Sequence, residues 1–289
     1  MTEILATLAQ LSVLVFVIGS MASMGLSLKI AQILAPLKNA KLVILALVAS
    51  FVVVPLVAVL ITAIIPLDES VRIGLILLAT AAGAPFLPKL AEAAKGNVAF
   101  SVGLMVLLMV VTIIYLPLVL PLLLSGVEVN PWEIAQSLIV MMLVPLAIGL
   151  FINARYEETA AKIQPTFGQA SNIALLVLTV LGLVLNFRAM IDLVGSLGIL
   201  AGILFILISL VAGYLLGMAG GSEGGIRSVM GLGTAQRNIS AALVVGAQNF
   251  DSNVITYLMV IAVIGLVVLM PTAGELGKRA AAASGKVAD

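Results

Sequence analysis

Long apolar runs separated by short polar stretches make up nearly the whole chain. Runs such as Leu42 to Leu60 show no alternation of polar and apolar positions, so they are helical and not strands of a membrane barrel. A helix needs roughly 20 apolar residues to cross a bilayer. Nine runs meet that length: 6–28, 41–65, 71–95, 97–124, 131–152, 170–187, 195–218, 226–249 and 253–272. The predicted fold is an all-α polytopic membrane protein of nine transmembrane helices, with 1–289 as a single membrane domain. Between spans, 29–40 and 155–168 are mixed in polarity and predict interfacial helices or loops. The Ala-rich tail 273–289 is expected to fray.

Charge placement orients the spans. Lys29, Lys38, Lys41, Lys95, Arg155, Lys162, Arg227, Lys278, Arg279 and Lys286 fall on one side if the spans alternate. The other side carries only Arg72 and Arg188 among basic residues, with Glu128 and Asp192 among its acids. The positive-inside rule then predicts an N-terminus outside and a cytoplasmic C-terminus. The expected location is a bacterial or archaeal inner membrane, with lipid as the surrounding partner.

Composition narrows the chemistry. With 63% apolar and 9% charged residues, and a mean hydropathy of +1.30, the chain cannot cover itself for water. A net charge of +1 excludes a phosphate-neutralising nucleic-acid binder. The chain has no Cys and no His, which removes thiolate nucleophiles, imidazole acid–base work and the usual zinc ligands. No Walker loop, carboxylate dyad or serine triad is present, so no enzyme activity and no cofactor are predicted. The first apolar run lacks a basic leader and a small-residue cleavage site, so it is predicted to be a retained span.

Two spans are interrupted. The third contains Gly83-Ala84-Pro85-Phe86-Leu87-Pro88-Lys89, where two prolines remove backbone donors and cannot sit in a continuous helix. The eighth contains Gly231-Leu232-Gly233-Thr234-Ala235-Gln236-Arg237-Asn238-Ile239-Ser240. Irregular backbone at membrane depth survives only where protein or a cavity surrounds it, and paired broken spans point to a transporter site near the midplane. The candidate substrate-binding residues are therefore Pro85, Phe86, Lys89, Thr234, Gln236, Arg237 and Asn238. Arg237 lies roughly 15–18 Å from either end of its span, too deep to snorkel. It is expected to meet a carboxylate with its planar fork. Lys89 has two readings: it joins that cavity, or its stem snorkels to the interface beside Glu92. Pro55, Pro117, Pro121 and Pro145 predict kinks, and Gly213, Gly217 and Gly221 predict close packing within the monomer.

Several motifs occur in a telling order. They are Ser23-Met24-Gly25-Leu26-Ser27-Leu28-Lys29, the Pro55 kink, the broken third span, Lys95-Gly96-Asn97-Val98-Ala99-Phe100-Ser101, and the broken span holding Gln236. The chain resembles the bile acid:sodium symporter family over nearly its whole length. The resemblance implies an inverted-repeat transporter with one peripheral helix missing, in which spans three and eight unwind and cross. It implies a panel near 6–65 and 131–187 and a core near 71–124 and 195–272. It also implies side-chain sodium sites, of which only Ser101 and Gln236 remain as candidate ion-binding residues. Leu87, Pro88, Met105, Leu232 and Ser50 stand where sodium-coupled members carry polar ligands.

The expected function is secondary transport of a small organic anion, carboxylate or bile-acid-like, by alternating access and without sodium coupling at those sites. Lys89 and Arg237 are expected to supply the positive charge instead. The competing readings are a sodium-coupled symporter with relocated ion sites and a non-transporting receptor on the same scaffold. Either a monomer or a homodimer fits the sequence.

Overall fold

The computed structural model describes residues 2–34, 38–124, 130–185, 193, 196–221 and 223–285. Every regular element among them is a helix. In chain order these are α1 (Thr2–Ser27), α2 (Ile30–Leu34), α3 (Ala40–Ile64), α4 (Glu69–Thr80), α5 (Leu87–Ala93) and α6 (Val98–Leu123). There follow α7 (Pro131–Arg155), α8 (Glu157–Leu185), α9 (Gly198–Ala219), α10 (Gly224–Ala235), α11 (Ile239–Asn249) and α12 (Ser252–Gly285). Six of them, α1, α3, α6, α7, α9 and α12, are long and apolar enough to cross a membrane. The protein is an integral membrane protein. Glu128, Arg188, Asp192 and Lys286, used above for orientation, lie outside the described residues.

Local chemistry sets the helix ends. Asn39, Asn97 and Asn130 each accept a backbone N–H from the first turn that follows, which starts α3, α6 and α7. Proline sets the interior of two spans. In α3, Ala49–Val53 forms a π-helical turn immediately before Val54-Pro55, and α7 repeats the device with Ile139–Leu143 before Val144-Pro145. A proline ring collides with the carbonyl four positions back, and widening the preceding turn by one residue relieves that collision.

Helix α1 packs along α8 and the second half of α7. The α1–α7 joint is close enough that a Cβ on Gly25 would sit 2.9 Å from the Gly149 Cα. Asn153 Nδ2 pins it by donating to the Leu28 carbonyl at 2.9 Å. Helix α9 lies along α10, and α12 packs on α4, α5, α10 and α11. The expected packing role of the glycine ladder is visible at Gly213 and Gly217 but not at Gly221, which lies past the end of α9 with nothing within 4 Å of a Cβ built on it. A Cβ on Gly213 would meet the Met230 carbonyl at 2.6 Å, and Gly217 faces Arg227 and Met230.

Three expectations change. The run 41–65, grouped with the first span as panel, packs as α3 against α4 and α9. Hydrophobic periodicity shows that a helix has a buried face but not which neighbour covers it. The interfacial stretch 155–168 is no separate element: most of it is the first half of the continuous α8. The tail is helical as far as it is described, since α12 runs on to Gly285; 286–289 lie outside the described residues. Alanine favours that continuation, Glu275 and Arg279 form an (i, i+4) ion pair, and Gly277 lies against the Ala93 carbonyl of α5.

Candidate functional site

The third and eighth spans do break, and the breaks touch. Helix α4 ends at Thr80 and α5 begins at Leu87, with Pro88 in its first turn, where a missing N–H costs nothing. In between, every carbonyl from Ala81 to Ala84 has a partner. Ala81 O accepts the backbone N–H of Asn238 (2.9 Å), Gly83 O accepts Asn238 Nδ2 (3.0 Å), and Ala84 O accepts the N–H of Leu87 (3.1 Å). Thr112 on α6 serves both groups of Ala82, since its Oγ1 accepts from Ala82 N (2.9 Å) and donates to Ala82 O (3.0 Å). Buried backbone must be satisfied in this way, since lipid offers nothing. Gly83 has φ 81°, and a Cβ there would lie 2.6 Å from the Met105 carbonyl, so only glycine fits.

The second break is shorter than its sequence suggests. Gly231 and Gly233 stay helical, and α10 continues to Ala235 before the chain opens at 236–238. The two glycines admit neighbours, Leu210 and Tyr214 at Gly231 and Leu87 at Gly233. Asn238 Oδ1 then caps α11 by accepting from Ala241 N.

Arg237 sits between the breaks and is 6% exposed. Its Nε donates to Leu78 O (3.2 Å), Nη1 to Thr234 O (3.2 Å), and Nη2 to both Ala79 O (2.6 Å) and Ser50 O (3.2 Å). Ala79 belongs to the last turn of α4 and Thr234 to that of α10, where carbonyls lack helical partners, whereas Leu78 O also accepts the N–H of Ala81 (3.2 Å). Ser50 lies in the π turn, five residues before Pro55, which has no N–H to give. One guanidinium thus collects carbonyls orphaned by two helix ends and a proline. Its positive charge also opposes the negative ends of the two half-helix dipoles. Nearby, the Tyr115 hydroxyl donates to Phe51 O (2.6 Å), its ring tilted on that of Phe51.

A cavity of about 570 Å³ opens beside the breaks. Its polar lining comes from Gln236, Arg237 and Ser240 at the second break and from Ser20, Ser171 and Asn172 on α1 and α8. Most of the remaining wall is apolar, supplied by α1, α8, α11 and α12. Ser240 Oγ and Gln236 Oε1 are buried without a hydrogen-bond partner.

Of the predicted substrate residues, Pro85, Phe86, Gln236 and Arg237 line this cavity. Lys89 does not, because its side chain is exposed on α5. Thr234 turns its hydroxyl back to Met230 O under Gly213. Asn238 is consumed in the seam. The free planar fork expected at Arg237 is also corrected, since four of its five N–H groups are committed to carbonyls. Sequence reasoning missed Thr112, Tyr115, Ser20 and Ser171, and left Ser240 out of the candidate residues although it stands in the interrupted run. The available signal was a lone hydroxyl in an apolar run, which more often bonds its own helix.

A model of the sodium bile acid symporter family matches residues 13–193, more than half of the chain. The chain belongs to this family. It is a membrane transporter of the bile acid symporter type. No curated protein matches it. The matched range contains the first break; Gln236, Arg237 and Asn238 lie beyond it. At the positions where the resemblance places symporter sodium ligands, Leu87, Met105 and Leu232 are buried in the apolar core. Ser101 Oγ donates to Val98 O of its own helix and lies outside the cavity wall, so it is not brought together with Gln236 there.

Proposed function

We propose that the protein is a secondary transporter of organic anions that works by alternating access, with Arg237 as its resident cation in place of a co-transported sodium ion. The reading takes the two broken pairs, α4–α5 and α10–α11, as two further spans. With α8 these make nine spans in an inverted-repeat arrangement. Here α1, α7 and α8 move as a unit against the rest, and α3 travels with the breaks.

The single observation that carries the proposal is the setting of Arg237. Its charge borders the cavity, its hydrogen-bond partners are neutral carbonyls, and no carboxylate pairs with it among the described residues. A unit charge with neutral partners in a low-dielectric wall attracts an anion strongly. The anion meets the remaining Nη1 donor, the Ser240 hydroxyl and the Gln236 amide, so recognition rests on net charge and single hydrogen bonds. An apolar wall selects an anion with an apolar body.

The test is counterflow in proteoliposomes loaded with an unlabelled amphipathic carboxylate. Trans-stimulated uptake of the labelled compound supports the reading. Binding without any flux, in either direction and under any ion gradient, sinks alternating access and leaves a receptor.

A further inference from the structure

The cavity is open to the outside of the protein. Among the residues that line it, Leu176 on α8 is 64% exposed, and Val263 and Leu266 on α12 are 50% and 43% exposed. Asn172, one turn before Leu176 on the same face of α8, is exposed as well. Residues that line a cavity and are also open to the outside form its lips. Here those lips belong to α8 and α12, which touch each other only sparsely. Along α12 the wall runs from Met259 to Leu269, about 15 Å at 1.5 Å per residue, or half a bilayer core of roughly 30 Å. That stretch lies inside the apolar run 253–272 of α12, whose uncovered flank suits acyl chains better than water.

We infer that the cavity loads sideways, from the bilayer, through the cleft between α8 and α12, and that its occupant is a long-chain monocarboxylate whose tail stays partly in lipid. The polar lining at the second break fits a single carboxylate. Arg237 supplies one unit of uncompensated charge, and Ser240, 1% exposed, holds a hydroxyl with no other partner. No other charged side chain lines the wall, whereas Phe16, Leu175, Leu243, Met259 and Ile261 fit methylenes. The inference rests on the organic-anion reading above and deepens it by naming the substrate class and its route.

A chain-length series on the full protein in lipid nanodiscs tests it. Saturated monocarboxylates of increasing length are titrated, with affinity referred to the aqueous concentration. A laterally open site gains about fourfold per added methylene and shows no cut-off at long chains. A sealed cavity of about 570 Å³ gains at first and then rejects chains too long to fold inside it.

A second readout uses Phe86→Trp in a Trp132→Phe background, which leaves one indole, on the cavity wall. Lipids brominated along their chains should quench its fluorescence, and a bound long-chain carboxylate should relieve the quenching. Binding of short carboxylates with rejection of long ones, together with fluorescence that brominated lipid leaves unquenched, overturns lateral loading and leaves the organic-anion reading standing. Failure of carboxylates of every length to bind overturns both.

Discussion

Arg237 Nη2 donates to the carbonyl oxygen of Ala79 at 2.6 Å, joining two broken spans across 158 positions of sequence. With Asn238 bonded to Ala81 and Gly83, this makes the two breaks a single hydrogen-bonded unit. Neither break is stable alone in a membrane, because each leaves backbone groups that only the other satisfies.

Replacing the guanidinium should therefore cost stability as well as binding. Arg237→Met keeps much of the bulk but orphans the carbonyls of Ser50, Ala79 and Thr234, each worth about 1–3 kcal/mol when left unmet, while Leu78 O keeps the N–H of Ala81. Arg237→Lys retains the charge, yet one ammonium cannot reach oxygens spread over three segments. Thermal unfolding in detergent should rank wild type above Lys and Lys above Met. A Met variant with the wild-type midpoint would remove Arg237 from its place as the clamp.

Thr112 allows a cleaner test, since its hydroxyl bonds only Ala82. Thr112→Val should lower stability by about 2–4 kcal/mol through two unmet backbone groups. Thr112→Ser should recover most of it, because the hydroxyl alone bridges the break. Equal midpoints for the two variants would contradict the assignment.

Two glycines with positive φ separate crowding from backbone strain. Gly83→Ala adds a Cβ 2.6 Å from the Met105 carbonyl and should abolish monodisperse protein. Gly221→Ala meets nothing within 4 Å and should cost only the roughly 1–2 kcal/mol of a left-handed non-glycine residue. Size-exclusion profiles distinguish the pair, and a well-behaved Gly83→Ala variant would show that α6 does not press on the break.

The sequence revealed the breaks because Pro85, Pro88 and a run of polar residues are incompatible with an unbroken membrane helix. It revealed Arg237 because a guanidinium that deep cannot reach water. What Arg237 holds was not legible. Carbonyl acceptors belong to the backbone and leave no mark on residue identity, so its partners at Ser50, Leu78 and Ala79 required the fold. Gly231 and Gly233 misled for a related reason. Glycine marks both chain reversal and close approach, and here it admits Tyr214 and Leu87 to a continuous helix. The neighbours of α3 were hidden as well, since an apolar face fits α1 or α9 equally until the chain is packed.

Lys89 and Ser240 should exchange the importance their side chains suggest. Lys89 is charged but exposed away from the cavity wall, whereas Ser240 is small, buried and without a partner. Lys89→Ala should change carboxylate-dependent thermal stabilisation less than about twofold. Ser240→Ala should weaken it roughly tenfold to a hundredfold, the worth of a hydrogen bond to a charged group. The reverse order would place the anion on α5.

The most direct test of Arg237 as resident cation is carboxylate binding with sodium varied and nothing else changed. Binding is measured in sodium chloride and in choline chloride at equal ionic strength, with the wild-type chain. The account predicts the same dissociation constant in both salts, within about twofold, because the positive charge is covalently in place. A saturable sodium requirement would contradict it, since a cation that must be added is not one that Arg237 already supplies.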